Sequence, residues 1–414
     1  MISGSRDEHS DMSTPSFMQA IELAPRDPIL GISEAFQADG NPRKVNLGVG
    51  VYCDDSGKIP VLACVREAER RLAEKELPRG YLPIDGIAEY NRLVLDLVFG
   101  VDHPALSAGR VLAVQTLGGT GALRVGADFL RRFNPGAGVW ISDPSWENHR
   151  ALFEAAGLTV HTYPYYDPDS GELDFPAMLA ALERLPAQST VLLHACCHNP
   201  TGVDLSPDQW DELIELVRAR GLIPFLDMAY QGFADGVDQD ASVVRRFAAR
   251  CPVVLVSNSF SKSFSLYGER VGGLSVVAED ADQVRRALSQ IKRIVRTNYS
   301  NPPTHGAKVV ASVLGDAELR VLWERELGAM RGRIQTMREA LAQRLAAHLP
   351  GRDFGYMVRQ RGMFSYSRLG ADQVARLREQ HAVYAVDTGR ICIAALNTAN
   401  LDHVAAGVAS CMGA

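Results

Sequence analysis

The chain has 414 residues, of which 46% are apolar and 22% charged, with a formal net charge of −6. That length exceeds one ordinary domain, and that apolar content can bury a large core. Charges of both signs are interspersed without a Lys/Arg-rich run, which argues against a nucleic-acid partner, and the longest apolar runs have the length of strands, which argues against a membrane span.

Residues 1–16 are polar, carry Arg6, Asp7, Glu8 and Asp11, and lack the apolar centre of a signal peptide. They read as a disordered extension, with Met12 a second candidate start. The seven cysteines (53, 64, 196, 197, 251, 392 and 411) are scattered and odd in number, which fits a reduced cytoplasmic compartment better than a disulfide framework. An arm follows with the apolar stretch Val45-Asn46-Leu47-Gly48-Val49-Gly50. From about residue 110 to 280 strand-like and helix-like segments alternate, the pattern of an α/β domain with a mostly parallel sheet. The predicted strands cover 139–142, 158–163, 190–195, 222–227, 253–257 and 271–277. Ser206 is a predicted N-cap with Pro207 behind it and Gln209 closing a capping box; Trp210, Ile214 and Val217 share one face, and Gly221 ends the helix.

A long helix is predicted over 316–349, with Leu319, Trp323, Leu327, Met330, Ile334, Met337, Leu341 and Leu345 at steps of three and four. Another follows near 372–380, then a short strand around 391–394. The resulting expectation is a large domain over 61–329 and a smaller α/β domain built from both termini, 17–60 and 330–414. His194-Ala195-Cys196-Cys197-His198 has zinc-ligand side chains but no loop-separated pair, and neighbours on a strand point to opposite faces, so it reads as a buried strand end and no metal is expected.

The polar residues that need explaining fall just after strands: Trp146 and His149, then Asn199, then Asp227, then Lys262. Ligands of open α/β sheets bind at the carboxyl ends of strands, so one pocket can collect them all. Lys262, in -SNSFSKSFSLYGERVGG-, lies among hydroxyls, near Arg270, and is flanked by Phe260, Phe264 and Leu266. An amine in a partly apolar, cation-rich pocket loses proton affinity and becomes a Schiff-base nucleophile. Hydroxyls beside a guanidinium suit a phosphate monoester. Together they suggest pyridoxal phosphate, which also needs an anion for its pyridine nitrogen, a donor to O3′ and a ring-stacking face. Asp227, Tyr230 with Asn199, and Trp146 are candidates for these. Gly118-Gly119-Thr120-Gly121 before a helix offers backbone N–H groups for the phosphate. It is neither the GxGxxG dinucleotide fingerprint nor the GxxxxGK[ST] loop, which argues against a dehydrogenase or a kinase.

The motifs -NLGVGVY-, -YLPIDGI-, -QTLGGTGALR-, -SDPSWENH-, -HNPTG-, -DMAYQGF-, -SNSFSKSFSLYGERVGG-, -NYSNPP-, -QRGMFSYS- and Gly389-Arg390 together resemble the class I (fold-type I) pyridoxal-phosphate aminotransferases, aspartate/aromatic subgroup, from about Asp27 to the C-terminus. The resemblance implies roles. Lys262 would hold the cofactor and shuttle the substrate proton; Asp227 would pair with the pyridinium, with His149 behind it. Tyr230 and Asn199 would bind O3′ and Trp146 would stack. Gly119, Thr120, Ser259, Ser261 and Arg270 would hold the phosphate, and Tyr81 would reach the phosphate of a neighbouring subunit in a homodimer. Arg390 would grip the substrate α-carboxylate, and Arg296 would cross from the partner to meet a distal carboxylate; Ile59 and Leu82 would help line apolar walls. Asn199 and Trp146 would also touch the substrate.

The implied reaction is transfer of an amino group from an amino acid to a 2-oxo acid, 2-oxoglutarate being the expected acceptor. -SLYGERVGGLSV-, -SDPSWENH-, -LPIDGI- and -ALNTANL- resemble the aromatic branch, whereas Thr120 and Asn301 resemble the aspartate branch, and Gly80 and Cys53 fit neither. The reading favours an aromatic-amino-acid enzyme with retained aspartate activity, the alternative being an aspartate enzyme with minor aromatic activity. Decarboxylation or elimination on the same fold and a non-catalytic ligand sensor are the rival classes.

Overall fold

The computed structural model describes residues 17–24 and 28–413; the extension predicted over 1–16 lies outside them. Among the described residues, seven strands form the central sheet: β1 (Val111–Leu117), β2 (Val139–Asp143), β3 (Val160–Pro164), β4 (Thr190–His194), β5 (Ile223–Met228), β6 (Val254–Ser259) and β7 (Val271–Val277). Their spatial order is β1-β7-β6-β5-β4-β2-β3, and β7 alone runs antiparallel to its neighbours. The mostly parallel α/β fold expected from the sequence is the fold observed. Five of these strands end or begin within two residues of the predicted bounds, 190–195 closes one residue early, and β1 was not among those predicted.

The strands are near-continuous apolar runs because both faces of the sheet are covered. Alternation then sorts each strand between two cores. Leu193, Leu226, Val254 and Val256 enter one core, while Leu192, Phe225, Leu255 and Leu274 enter the other. Burying one such side chain contributes on the order of 2 kcal/mol, so the sheet is a stiff platform for whatever its ends carry.

Several helices matter to the site. α1 (Gly118–Phe133) follows β1 directly and α2 (Glu147–Ala155) follows β2. α3 (Pro207–Arg220) has the predicted capping box from Ser206 and Gln209, and Gly221 ends it at φ +63°. α4 (Ala281–Asn298) carries Arg296 in its last turn. α5 (Ala317–His348) begins where Asp316 accepts from the Glu318 and Leu319 N–H groups, and all eight residues of its predicted apolar stripe are buried. It packs against α6 (Leu401–Gly413).

Near the termini, Val45–Asn46 pairs in parallel with Val383–Tyr384. The strand expected around 391–394 is shorter: Arg390–Cys392 pairs antiparallel with Phe364–Tyr366, and the chain then tightens into a 3-10 turn at Ile393–Ala395. Only three residues face a partner, so the ladder stops there. Among the described residues no helix is long and apolar enough to cross a membrane.

Candidate active site

A cavity of about 530 Å³ opens at the carboxyl ends of β4, β5 and β6, beside the start of α1. Gly119, Thr120, Trp146, Asn199, Asp227, Tyr230, Ser259, Ser261, Lys262, Arg270 and Arg390 all line it. Residues that are far apart in sequence meet there because each lies at or just beyond an end of a strand of one sheet or, for Arg390, at the start of a short separate strand.

Lys262 stands just past β6. Below it Phe260 packs edge-on against Phe264, and Phe264 stacks on Trp323 of α5 with centroids 4.7 Å apart. The Trp323 indole also donates to the Ser263 carbonyl at 2.8 Å, which anchors the turn. Part of the Lys262 side chain reaches the cavity, but protein surrounds its amine, which lies 5.0 Å from the centroid of the Tyr230 ring. Burial pushes its pKa down to about 8; Asp227 opposes that shift, and Arg270 and Arg390 add to it. Such an amine has a large uncharged fraction at neutral pH and can act as nucleophile or base.

Asp227, on β5, is 6% exposed. Burial alone would raise its pKa, but the hydrogen bond and charge of His149, with Lys262, hold it below the usual carboxylate range. An ionised carboxylate only accepts, so His149 Nε2 donates to Asp227 Oδ2, at 3.0 Å. Ser145 Oγ pairs with His149 Nδ1 at 2.9 Å and fixes the ring. His149 itself is buried and does not line the cavity.

His194 ends β4 opposite Asp227 in the register and packs on His149. Burial is the main reason its pKa falls to about 3, so it is a neutral ring beside the carboxylate. The donor atoms of His149, His194 and Asp227 lie within 4.8 Å of one another; the first and last are joined by their hydrogen bond, and neither His194 nitrogen makes one among the described residues.

The opposite end of the cavity is an anion cup. Arg270, itself at φ +54°, donates to Ser261 Oγ at 3.4 Å and to the Tyr267 carbonyl at 2.9 Å. Gly118 turns β1 into α1 at φ +70°, and a Cβ there would come within 2.7 Å of Arg270 Nη2. Glycine at that turn therefore lets the guanidinium approach the first turn of α1, where Gly119 and Thr120 present unpaired helix N–H groups.

Arg390 is 1% exposed. Its Nη1 donates to Asn199 Oδ1 at 3.0 Å and its Nη2 to the Gly48 carbonyl at 2.7 Å, while its Nε makes no hydrogen bond among the described residues. Because Arg390 takes the oxygen of Asn199, the amide N–H₂ is the end left for another acceptor. The guanidinium also lies 4.4 Å from the centroid of the Phe364 ring.

Tyr81 and Arg296, which the resemblance assigns to a neighbouring subunit's site, lie outside this subunit's cavity. Tyr81 is 94% exposed, and Arg296 is an exposed side chain paired with Ser300. Neither lines this cavity, and neither do Ile59 and Leu82. The sequence reading also left out four contributors: Tyr267, Phe364, His194 and Ser145. The Tyr267 hydroxyl accepts from the Tyr52 N–H at 2.9 Å and so ties the arm to the cavity wall. Its place in -SLYGER-, after Lys262, was the available signal.

Residues 42–408 match the family described as aminotransferase class I and II. The chain belongs to this family. It is 59% identical over 389 residues to an aspartate aminotransferase of Pseudomonas aeruginosa, covering 94% of this chain and 98% of that one. It is 53% identical over 397 residues to an aromatic-amino-acid aminotransferase of Escherichia coli, covering 95% and 100%. The crystal structure of an aromatic-amino-acid aminotransferase from Burkholderia pseudomallei, covalently bound to pyridoxal phosphate, is similar at a TM-score of 0.93 and 60% identity, covering 96% of this chain and 99% of that one.

The residues present fit that cofactor. A cup of glycine N–H groups, hydroxyls and a guanidinium suits the phosphate. The buried Asp227, held ionised by His149 at the cavity wall, offers a carboxylate that suits a pyridinium. The protein is thus a pyridoxal-phosphate-dependent aminotransferase acting on aspartate or aromatic amino acids and on 2-oxo acids.

Proposed function

We propose that the protein transfers the amino group of tyrosine or phenylalanine, and of aspartate, to 2-oxoglutarate, with the aromatic donors used at least as well as aspartate. The observation that carries this reading is the make-up of the substrate end of the cavity. One buried guanidinium, Arg390, is available for an α-carboxylate, while Val49, Val51, Trp146, Tyr267 and Phe364 supply apolar wall. An aromatic side chain needs only such walls, whereas a distal carboxylate needs a second cation; Arg296 of the same chain is outside the cavity, so this reading takes that cation from the partner subunit.

Bound pyridoxal phosphate supplies an electron sink for negative charge developing at the substrate Cα. The side chains do the rest in this reading. Arg390 fixes the α-carboxylate through paired N–H donors. Asp227, oriented by His149 and Ser145, keeps a proton on the pyridine nitrogen. Tyr230 and Asn199 donate to O3′, Trp146 covers the ring face, and Gly119, Thr120, Ser259, Ser261 and Arg270 hold the phosphate. Lys262, with its lowered proton affinity, would be the group that takes the substrate Cα proton and returns it.

The assembly proposed is a cytoplasmic homodimer in which each subunit lends Tyr81 and Arg296 to the other's site. Their exposure, and that of the apolar Ile59, Val61 and Leu77, supports a partner surface. All seven cysteines are free, in keeping with a reducing compartment. Within the subunit, 61–329 is proposed as the cofactor-binding domain and 17–60 with 330–414 as the smaller one. The Pseudomonas aeruginosa relative and Thr120 favour a second reading, an aspartate enzyme with minor aromatic activity. Steady-state kcat/KM for tyrosine, phenylalanine and aspartate with 2-oxoglutarate separates the two. A preference for aspartate above roughly a hundredfold, about 2.7 kcal/mol of transition-state discrimination, reverses the choice.

A further inference from the structure

Glu147 opens α2 immediately after Trp146, and its side chain is 24% exposed. An acidic residue at a helix start is favourable and by itself unremarked. Here one oxygen turns inward. Glu147 Oε2 lies 3.7 Å from Arg390 Nη1, is sealed from solvent, and makes no hydrogen bond among the described residues. Arg390 Nη1 and Nη2 each give one N–H to Asn199 and Gly48 and keep the other, and at 3.7 Å Glu147 lies beyond hydrogen-bond reach, so its carboxylate acts on the guanidinium by charge.

We propose that Glu147 is a charge filter at the substrate end of the site. It weakens the docking of any carboxylate at Arg390 and weakens dicarboxylates more than aromatic monocarboxylates. This rests on Arg390 being the grip for the substrate α-carboxylate. A carboxylate brought to Arg390 comes close to Glu147 in a poorly hydrated setting, where like charges repel strongly. A monocarboxylate meets that repulsion once. The second carboxylate of a diacid, held in the same cavity, adds a further repulsion, whereas an aryl ring adds none. The selectivity then comes from a repulsive element as well as from apolar walls.

The test is calorimetric binding of two unreactive acids, 3-phenylpropionate and succinate, to the holoenzyme. Glu147→Gln keeps the shape and removes the charge. It should tighten 3-phenylpropionate by about threefold and succinate by about tenfold, and should lower KM for aspartate more than for phenylalanine with kcat little changed. Glu147→Asp, which keeps the charge, should stay near the parent for both ligands. Unchanged or weaker binding in Glu147→Gln overturns the filter, and so does an equal gain for the two acids. Arg390→Ala separates this failure from that of the site assignment. If it binds 3-phenylpropionate as the parent does, Arg390 is not the carboxylate grip and both readings fall; if it loses binding while Glu147→Gln gains nothing, only the filter falls.

Discussion

Replacing Asp227 by asparagine tests the centre of the proposed chemistry. The substitution preserves volume, and the amide oxygen can still accept from His149 Nε2, so the neighbours need not move. What disappears is the charge. Asp227 is 6% exposed, so water does not screen it. Two unit charges about 3 Å apart at an effective dielectric of about 20 interact by roughly 5 kcal/mol, and breaking one side of a buried pair typically costs about 3–5 kcal/mol. If the pyridine nitrogen needs that charge in the transition state, kcat should fall by about 10²- to 10⁴-fold. The fall should be of similar size for tyrosine and aspartate, because the electron sink is common to both.

Stopped-flow half-reactions with each amino acid measure this directly. His149→Ala should lose much less, about tenfold, because that ring acts only through Asp227. The cofactor-free Asp227→Asn protein should unfold below the parent's midpoint at neutral pH, since a carboxyl held below its ordinary range stabilises the fold while ionised. The pH behaviour has a definite sign. A folded-state pKa below the unfolded value gives stability that is present above the unfolded value and lost only as pH falls through the folded one. Acid-side activity loss between pH 7 and 5 should therefore not report Asp227. Turnover of Asp227→Asn within tenfold of the parent would refute the argument.

Borohydride should fix the cofactor to the peptide containing Lys262, and Lys262→Ala should lose both that label and turnover; a labelled peptide elsewhere removes the assignment. The Lys262 amine also predicts a stability trend. Its pKa near 8 when folded, against about 10.4 unfolded, means that the unfolded chain binds more protons between those values, so stability of the cofactor-free protein should rise with pH there relative to Lys262→Ala. Parallel melting curves from pH 8 to 10 would contradict it. Arg296→Ala should damage aspartate and 2-oxoglutarate kinetics by about 2–3 kcal/mol while leaving phenylalanine's kcat/KM nearly intact; equal losses would place Arg296 outside substrate recognition.

What could be read from the sequence follows from how local the cause is. The α5 stripe and the cap of α3 depend on residues within one or two turns, and both form as predicted. Gathering Asn199, Asp227 and Lys262 needed only the rule that functional side chains follow parallel strands. β1 was missed because its apolar run, Val111–Leu117, contains the buried polar Gln115 and Thr116, whose presence only tertiary partners explain. Gln115 is used up by the Ile87 N–H and the Pro303 carbonyl, both distant in sequence. Tyr267 and Phe364 were missed for the same reason. Their roles arise from contact with Tyr52 and Arg390, which lie outside the motifs that hold Tyr267 and Phe364.

The charges in the cavity also bear on one another in a way that no single motif carries. Arg270 and Arg390 sit at opposite ends, one beside the phosphate cup and the other beside Asn199, and both lower the proton affinity of the amine between them. A phosphate at one end and a carboxylate at the other would cancel those two influences while leaving Asp227 beneath. Burial, the largest cause of the lowered proton affinity, would remain with the site filled. The cations that recognise the two anions are thereby coupled to the basicity of the group that moves the proton.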